Sequence, residues 1–276
     1  MEAGTKSYSY DKGDTNMCYD DNARPPIPPG AGGTAQGEDI VLTAADGNRF
    51  AAYAAQPGSP TGAQILIFPD VRGLHQFYKE LALRFAEVGI SAVAIDYFGR
   101  SAGLTSRDDS FDFMPHVQQL QLDTFYADVA AALAHMRTGA GADRATFTVG
   151  FCMGGTLSFI SGTQDFGFAG VIGFYAGMSR NMSGRGTLLD HAPHIRYPVL
   201  GLFGGADQGI PLSNVQAFDE ALDRAGIDHE IIAYEGAPHS FFDRRATEFA
   251  EASADSWQRI LGFIQAHTAK QPVKQA

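Results

Sequence analysis

The residues best placed to do chemistry are Gly150-Phe151-Cys152-Met153-Gly154-Gly155, a thiol set among small neighbours. Upstream, Ala145-Thr146-Phe147-Thr148-Val149 reads as a buried strand. Downstream, Thr156-Leu157-Ser158-Phe159-Ile160 reads as the opening turns of a helix. A sharp strand-to-helix turn strains the backbone of its central residue, and only small flanking residues permit it. The helix N-terminus behind such a turn favours the thiolate, and the N–H of Met153 is offered to an oxyanion. The ordinary alternative is a buried cysteine packed as a small hydrophobe.

An acid and a base follow in order. The apolar run Tyr197–Phe203 breaks at Gly204-Gly205-Ala206-Asp207. A carboxylate in a glycine-rich loop just past a strand can orient a histidine, although aspartate in such loops more commonly shapes a turn. A further strand, Glu230–Tyr234, leads into Ala237-Pro238-His239-Ser240-Phe241-Phe242. Nucleophile, acid, histidine is the chain order of the α/β-hydrolase triad, and each member follows a strand, where open α/β sheets place their sites. Cys152, Asp207 and His239 are therefore the expected catalytic set.

The Gly-Phe-Cys-Met-Gly-Gly elbow, the Gly-Gly-Ala-Asp loop and the Pro-His-Ser-Phe-Phe segment together resemble the dienelactone hydrolase (carboxymethylenebutenolidase) family, from about residue 38 to the C-terminal helix. The resemblance implies an α/β-hydrolase fold and a thiol-based hydrolase, acting in aromatic compound catabolism, that opens lactones or cleaves small esters without metal or organic cofactor. It also implies further site positions. The family glutamate that activates the thiol is matched by Asp70, one methylene shorter, and Val71 supplies the second oxyanion N–H beside Met153. The family arginine that holds a substrate carboxylate is matched by Arg100. A second family arginine, four residues past the histidine, is matched by Asp243, with Arg244 and Arg245 beside it. Tyr175, Ser240 and Arg244 complete the expected substrate-binding set. Each has an ordinary alternative: Asp70 can cap a helix starting near Leu74, Arg100 can be a solvated cation, and Tyr175 can be half core. Arg72 and His75 flank the oxyanion loop.

Positioning these residues needs alternating elements. Strands are expected at 39–42 and 50–54, as a hairpin around Asp46-Gly47, then at 64–68, 90–95, 145–149, 170–175, 197–203 and 227–234. Helices are expected at 75–88, 117–137, 153–163, 212–225 and 245–267. Continuous apolar strands alternating with amphipathic helices imply a mainly parallel twisted sheet of about eight strands with helices on both faces. The connections 97–116 and 176–196 are long enough to shape a pocket. His191 and His194 in the second lack a third ligand and read as loop histidines, so no metal site is expected.

Residues 1–37 are polar and rich in Gly, Pro, Asp and Asn. They read as an extended N-terminal arm, either packed on the body through residues such as Tyr8, Tyr10 and Tyr19 or partly disordered. Residues 38–276 form the catalytic domain. The net charge of −11 argues against nucleic acid and anionic membrane surfaces. No apolar run approaches the roughly 20 residues of a transmembrane helix, and residues 1–6 lack a signal peptide's apolar core. With Cys18 and Cys152 the only cysteines, a cytoplasmic protein without structural disulfides is expected. Its partner would be a small ester or lactone, and its state a monomer or homodimer. Rival readings are a general short-chain carboxylesterase or thioesterase, and a non-catalytic small-molecule sensor on the same scaffold.

Overall fold

The computed structural model describes residues 22–268. Eight strands form one sheet: β1 (Ala35–Thr43), β2 (Arg49–Pro57), β3 (Ala63–Phe68), β4 (Ser91–Ile95), β5 (Ala145–Phe151), β6 (Gly170–Phe174), β7 (Val199–Gly204) and β8 (His229–Tyr234). Their order is β1-β2-β4-β3-β5-β6-β7-β8. The β1–β2 hairpin and its seam with β4 are antiparallel; every other pairing is parallel. This is the mainly parallel sheet that the apolar strands predict. Every residue of β3 to β7 is buried, as expected where both faces are covered.

The helices are α1 (Gln76–Glu87), α2 (Gly99–Ala102), α3 (Met114–Gln119), α4 (Leu122–Met136), α5 (Met153–Ser161), α6 (Leu188–His191), α7 (Leu212–Ala225) and α8 (Ala250–Thr268). Two glycines of β6 show how they are layered. A Cβ on Gly170 would strike Phe263 of α8, and one on Gly173 would strike Phe159 of α5. Residues three apart on a strand face opposite sides, so α8 and α5 cover opposite faces. Phe85 of α1 meets Trp257 of α8 at 4.9 Å, and Phe159 meets Phe218 of α7 at 5.1 Å, which extends both layers.

Three expected elements differ in detail. The helix expected at 117–137 is two helices, broken at Leu120 and Gln121, whose backbones are extended. Ser183 explains the break: its hydroxyl accepts from Leu122 N–H at 3.1 Å and donates to Leu120 O at 2.9 Å. A side chain 61 residues away thus takes over bonds that a continuous helix would make for itself. The helix expected from 245 begins at Ala250, because residues 240–249 wind in turns around Asp243. The arm boundary at 37 falls inside β1. Before it, Pro25 and Pro28 are buried and Trp257 Nε1 donates to Pro26 O at 2.9 Å, so this part of the arm lies on α8. Tyr8, Tyr10, Cys18 and Tyr19 lie outside the described residues. Among the described residues, no helix is long and apolar enough to cross a membrane.

One buried ion pair braces the edge where the expected site residues gather. Asp96, just past β4, meets Arg107 at 2.7 Å, with both side chains 1% exposed. The Asp96 Oδ1 also sits 2.8 Å from where Gly73 would carry a Cβ. Arg107→Ala strands the carboxylate and is expected to destabilise the fold by about 3–5 kcal/mol, measured by urea unfolding. An unchanged unfolding midpoint would show that the pair is not structural.

Candidate active site

The parallel strands bring their C-terminal ends to one edge, and the expected chemistry collects there. Cys152 directly follows β5 and forms the N-cap of α5, with φ 55° and ψ −117°. This is a backbone conformation that a non-glycine residue adopts at a cost of about 1–3 kcal/mol. The flanking glycines make it possible. A Cβ on Gly150 would lie 1.9 Å from Gly154 O, and one on Gly154 would lie 2.1 Å from Pro69 O. Cys152 itself is half-buried, and its N–H donates to Phe174 O at 3.1 Å.

The closeness of Gly154 to Pro69 also places the two residues expected to serve an oxyanion, Met153 and Val71, in adjoining segments. It sets the first turn of α5 against the loop that follows β3. Met153 is the first residue of α5, and a first-turn N–H has no acceptor within its own helix. Val71 lies two residues past Pro69, in the loop pressed against that turn. Tyr97 Oη pins this loop by donating to Pro69 O at 2.9 Å, and it also reaches Asp70 O.

Asp207 and His239 meet. Asp207 Oδ2 lies 2.6 Å from His239 Nδ1, and Asp207 Oδ1 accepts from Gly209 N–H at 2.8 Å and Ile210 N–H at 3.1 Å. The carboxylate is therefore held by its own loop while it orients the imidazole. The two loops are joined through backbone: Ala206 N–H donates to Ala237 O at 2.9 Å, and a Cβ on Gly204 would strike Pro238 O. The Tyr175 ring packs 4.7 Å from the His239 ring, in the residue following Phe174. It so links the histidine to the strand end that holds the Cys152 backbone.

The remaining expected residues are placed differently from one another. Arg100 sits on α2, with Nε and Nη2 on Asp128 at 3.0 and 2.8 Å and Nη1 on Asp46 at 2.6 Å. All three of its nitrogens thus serve an ion-pair network with the hairpin tip and α4, which is the ordinary role for this arginine. Asp70 does not cap α1, whose N-cap is His75. Its Oδ1 accepts from Arg72 N–H at 2.9 Å, its Oδ2 lies 3.6 Å from His75 Nε2, and it is 1% exposed. Tyr175 is fully buried, and its hydroxyl donates to Asp243 Oδ2 at 2.6 Å rather than being directed at a ligand. Ser240 is fully buried with a left-handed backbone, φ 60°, so a substrate would have to reach it through other groups. Arg244 is half-buried beside it, and its N–H donates to Asp243. Arg72 leans over the Phe113 ring at 5.3 Å and donates to Asp109 O, which ties the loop after β3 to the 97–116 connection.

Asp243 is the residue that sequence reading undervalued. It reads only as a missing arginine, yet it is buried beneath the histidine loop and receives the Tyr175 hydroxyl. Burial pushes its pKa up to about 6, and the nearby Asp70 charge adds to this; the Tyr175 and Arg244 hydrogen bonds and His239 pull the other way. Away from this edge, a groove of about 770 Å³ runs between the arm, the start of β3 and α8. It contains none of the residues above. Asp219, Asp223 and His229 are the one group of possible metal ligands among the described residues, and His229 Nε2 lies 3.1 Å from Asp219 Oδ1, the distance of a side-chain hydrogen bond.

An eight-stranded, mainly parallel sheet with a strained strand-to-helix turn at Cys152 and an Asp207–His239 pair at the same edge defines an α/β hydrolase. The model of the dienelactone hydrolase family matches residues 50–268, and the chain belongs to that family, whose members are hydrolases acting on ester bonds. It is 29% identical over 220 residues to a provisionally named carboxymethylenebutenolidase of Methylorubrum extorquens, covering 77% of this chain and 75% of that one. It is 24% identical over 242 residues to the carboxymethylenebutenolidase of Pseudomonas putida, covering 85% of this chain and 99% of that one. The crystal structure of a provisionally named dienelactone hydrolase from Klebsiella pneumoniae superposes with TM-score 0.74 at 24% identity, covering 84% of this chain and 99% of that one, which establishes the fold.

Proposed function

We propose that this hydrolase opens a lactone or cleaves a small ester through a thioester on Cys152. The observation that carries the reading is the elbow: a thiol held at φ 55° on the N-terminus of α5, on the same edge as the Asp207–His239 pair. His239, oriented through Nδ1 by Asp207, takes the thiol proton on Nε2. The thiolate adds to the ester carbonyl, and the N–H groups of Val71 and Met153 stabilise the oxyanion. One such donor is worth about 3–4 kcal/mol when removed. Collapse expels the alcohol, which takes the proton from His239, and leaves a thioester. His239 then deprotonates water for attack on that thioester, and the acid and the free thiol are released.

The placement of Arg100 favours a neutral ester over a carboxylate-bearing lactone. Its donors are committed to Asp46 and Asp128, and Asp243 adds a second acid where an anionic substrate would want a cation. The protein is proposed to act in the cytoplasm, as a monomer or homodimer, without cofactor. The deciding comparison is turnover of a carboxylate-bearing dienelactone against p-nitrophenyl acetate. Preference for the neutral ester is expected. Preference for the dienelactone would mean that another cation, such as Arg72 or Arg244, holds the carboxylate.

Asp207→Asn tests the histidine's orientation. An amide at this position leaves the imidazole in the wrong tautomer, and kcat is expected to fall by about 10,000-fold. A loss below tenfold would remove Asp207 from the mechanism.

A further inference from the structure

Beneath the histidine loop lies a second set of buried ionisable groups that the hydrolytic steps do not use. Asp70, His75, Phe77, Tyr78, Asp243 and Arg244 line a small hollow together with Ala23 of the arm. Its volume is about 10 Å³, the room of one water molecule. Asp70 and Asp243 are 1% and 6% exposed. Two carboxylates facing one small buried space cannot both ionise cheaply, because their repulsion is little screened there. Tyr78 borders the same hollow fully buried, and its hydroxyl has no hydrogen-bond partner among the described residues. An unpaired buried hydroxyl beside a water-sized hollow bordered by two carboxyl groups calls for a bound water.

We propose that Asp243 holds a proton beside the Asp70 carboxylate, with a water that bridges the two and also bonds Tyr78, and that Asp243 acts through Tyr175 as a positioning residue for His239. The connection is geometric: Asp243 receives the Tyr175 hydroxyl at 2.6 Å, and the Tyr175 ring packs 4.7 Å from His239. The groups facing Asp243 are Asp70 from the loop after β3, His75 and Tyr78 from the start of α1, Tyr175 after β6, His239, and its neighbour Arg244. When Asp243 is ionised it accepts from Tyr175 and its charge favours the imidazolium, since the attraction between Asp243 and His239 is mutual. When it is protonated that support is lost. Burial raises the Asp243 pKa to about 6, so the change falls near that pH.

The effect on stability has a definite sign. A carboxyl whose pKa rises on folding contributes stability that is full below its unfolded value, 3.8, and is lost as pH rises through about 6. The unfolding constant should therefore grow by about 50-fold more between pH 4 and pH 7 in the wild type than in Asp243→Asn. Asparagine keeps the shape of the protonated acid and cannot ionise.

Two readouts test the proposal, which rests on the reading of Cys152 as nucleophile in only one of them. The first is urea unfolding of the full chain from pH 4 to 8. The second is iodoacetamide alkylation of the Cys152 peptide over the same range, followed by mass spectrometry. The wild type should show a step near pH 6 in both, absent from Asp243→Asn and weaker in the alkylation of Tyr175→Phe. Asp70→Asn removes the like charge and should move the step to lower pH, which keeps the test open if Asp243→Asn folds poorly. Unfolding curves of Asp243→Asn or Asp70→Asn that follow the wild type at every pH would overturn the proton on Asp243. A step in unfolding without one in alkylation would overturn the link to His239.

Discussion

Cys152→Ala is expected to lower turnover of a small ester by at least about 10,000-fold, while unfolding free energy stays within about 1 kcal/mol of the wild type. The two halves of this expectation have separate causes. In the proposed mechanism the Cys152 thiol forms the covalent intermediate, and what would survive its loss is the rate given by oxyanion donors and binding alone. The fold, by contrast, loses little. Cys152 is half-buried, so removal of one sulfur opens no core cavity. Alanine also keeps a Cβ at φ 55°, so the backbone strain is unchanged rather than relieved. Steady-state kinetics with p-nitrophenyl acetate and urea unfolding check both halves. A variant that folds and still turns over within tenfold of the wild type would take the thiol out of the mechanism.

The second large effect is at Gly154. A methyl group there would lie 2.1 Å from Pro69 O and 2.2 Å from Phe68 O. Both are backbone atoms at the end of β3, a fully buried strand paired with β4 and β5, so neither can yield as a flexible side chain would. Relief requires α5 to move away from the β3 loop, and that motion separates Met153 from Val71. Gly154→Ala is expected to cost at least about 3 kcal/mol of stability by overpacking. In whatever fraction folds, kcat should fall by at least about 100-fold through loss of an oxyanion donor. Stability and kcat both near wild type would mean that the elbow and the β3 loop are not in the contact described.

The order of elements was legible because it follows from local pattern. Apolar runs of five to seven residues separated by amphipathic stretches leave few alternatives to a parallel sheet covered on both faces. The placement of Cys152, Asp207 and His239 was legible for a related reason: Cys152 follows β5 at once, and Asp207 and His239 lie in the short loops after β7 and β8, so strand order brings them to one edge. What escaped depends on contacts between residues distant in sequence. The break at Leu120 and Gln121 is held by Ser183, and nothing in the local sequence marks a stop. Arg100 matches a substrate-binding position by its place after β4, but its role is set by Asp46 and Asp128, which reach it from a hairpin and from α4. Asp243 looked like a departure from a pattern. Its burial against Asp70 and Tyr175 could be seen only once the histidine loop was folded over α1.

The most direct measurement is mass spectrometry of the protein quenched in acid during steady-state turnover of an ester that deacylates slowly, followed by peptide mapping. One acyl group is expected on the peptide that contains Cys152, labile to neutral hydroxylamine and absent from Cys152→Ala. Ester turnover by Cys152→Ala at the wild-type rate, or an acyl group on a serine with Cys152 unmodified, would contradict a thioester mechanism.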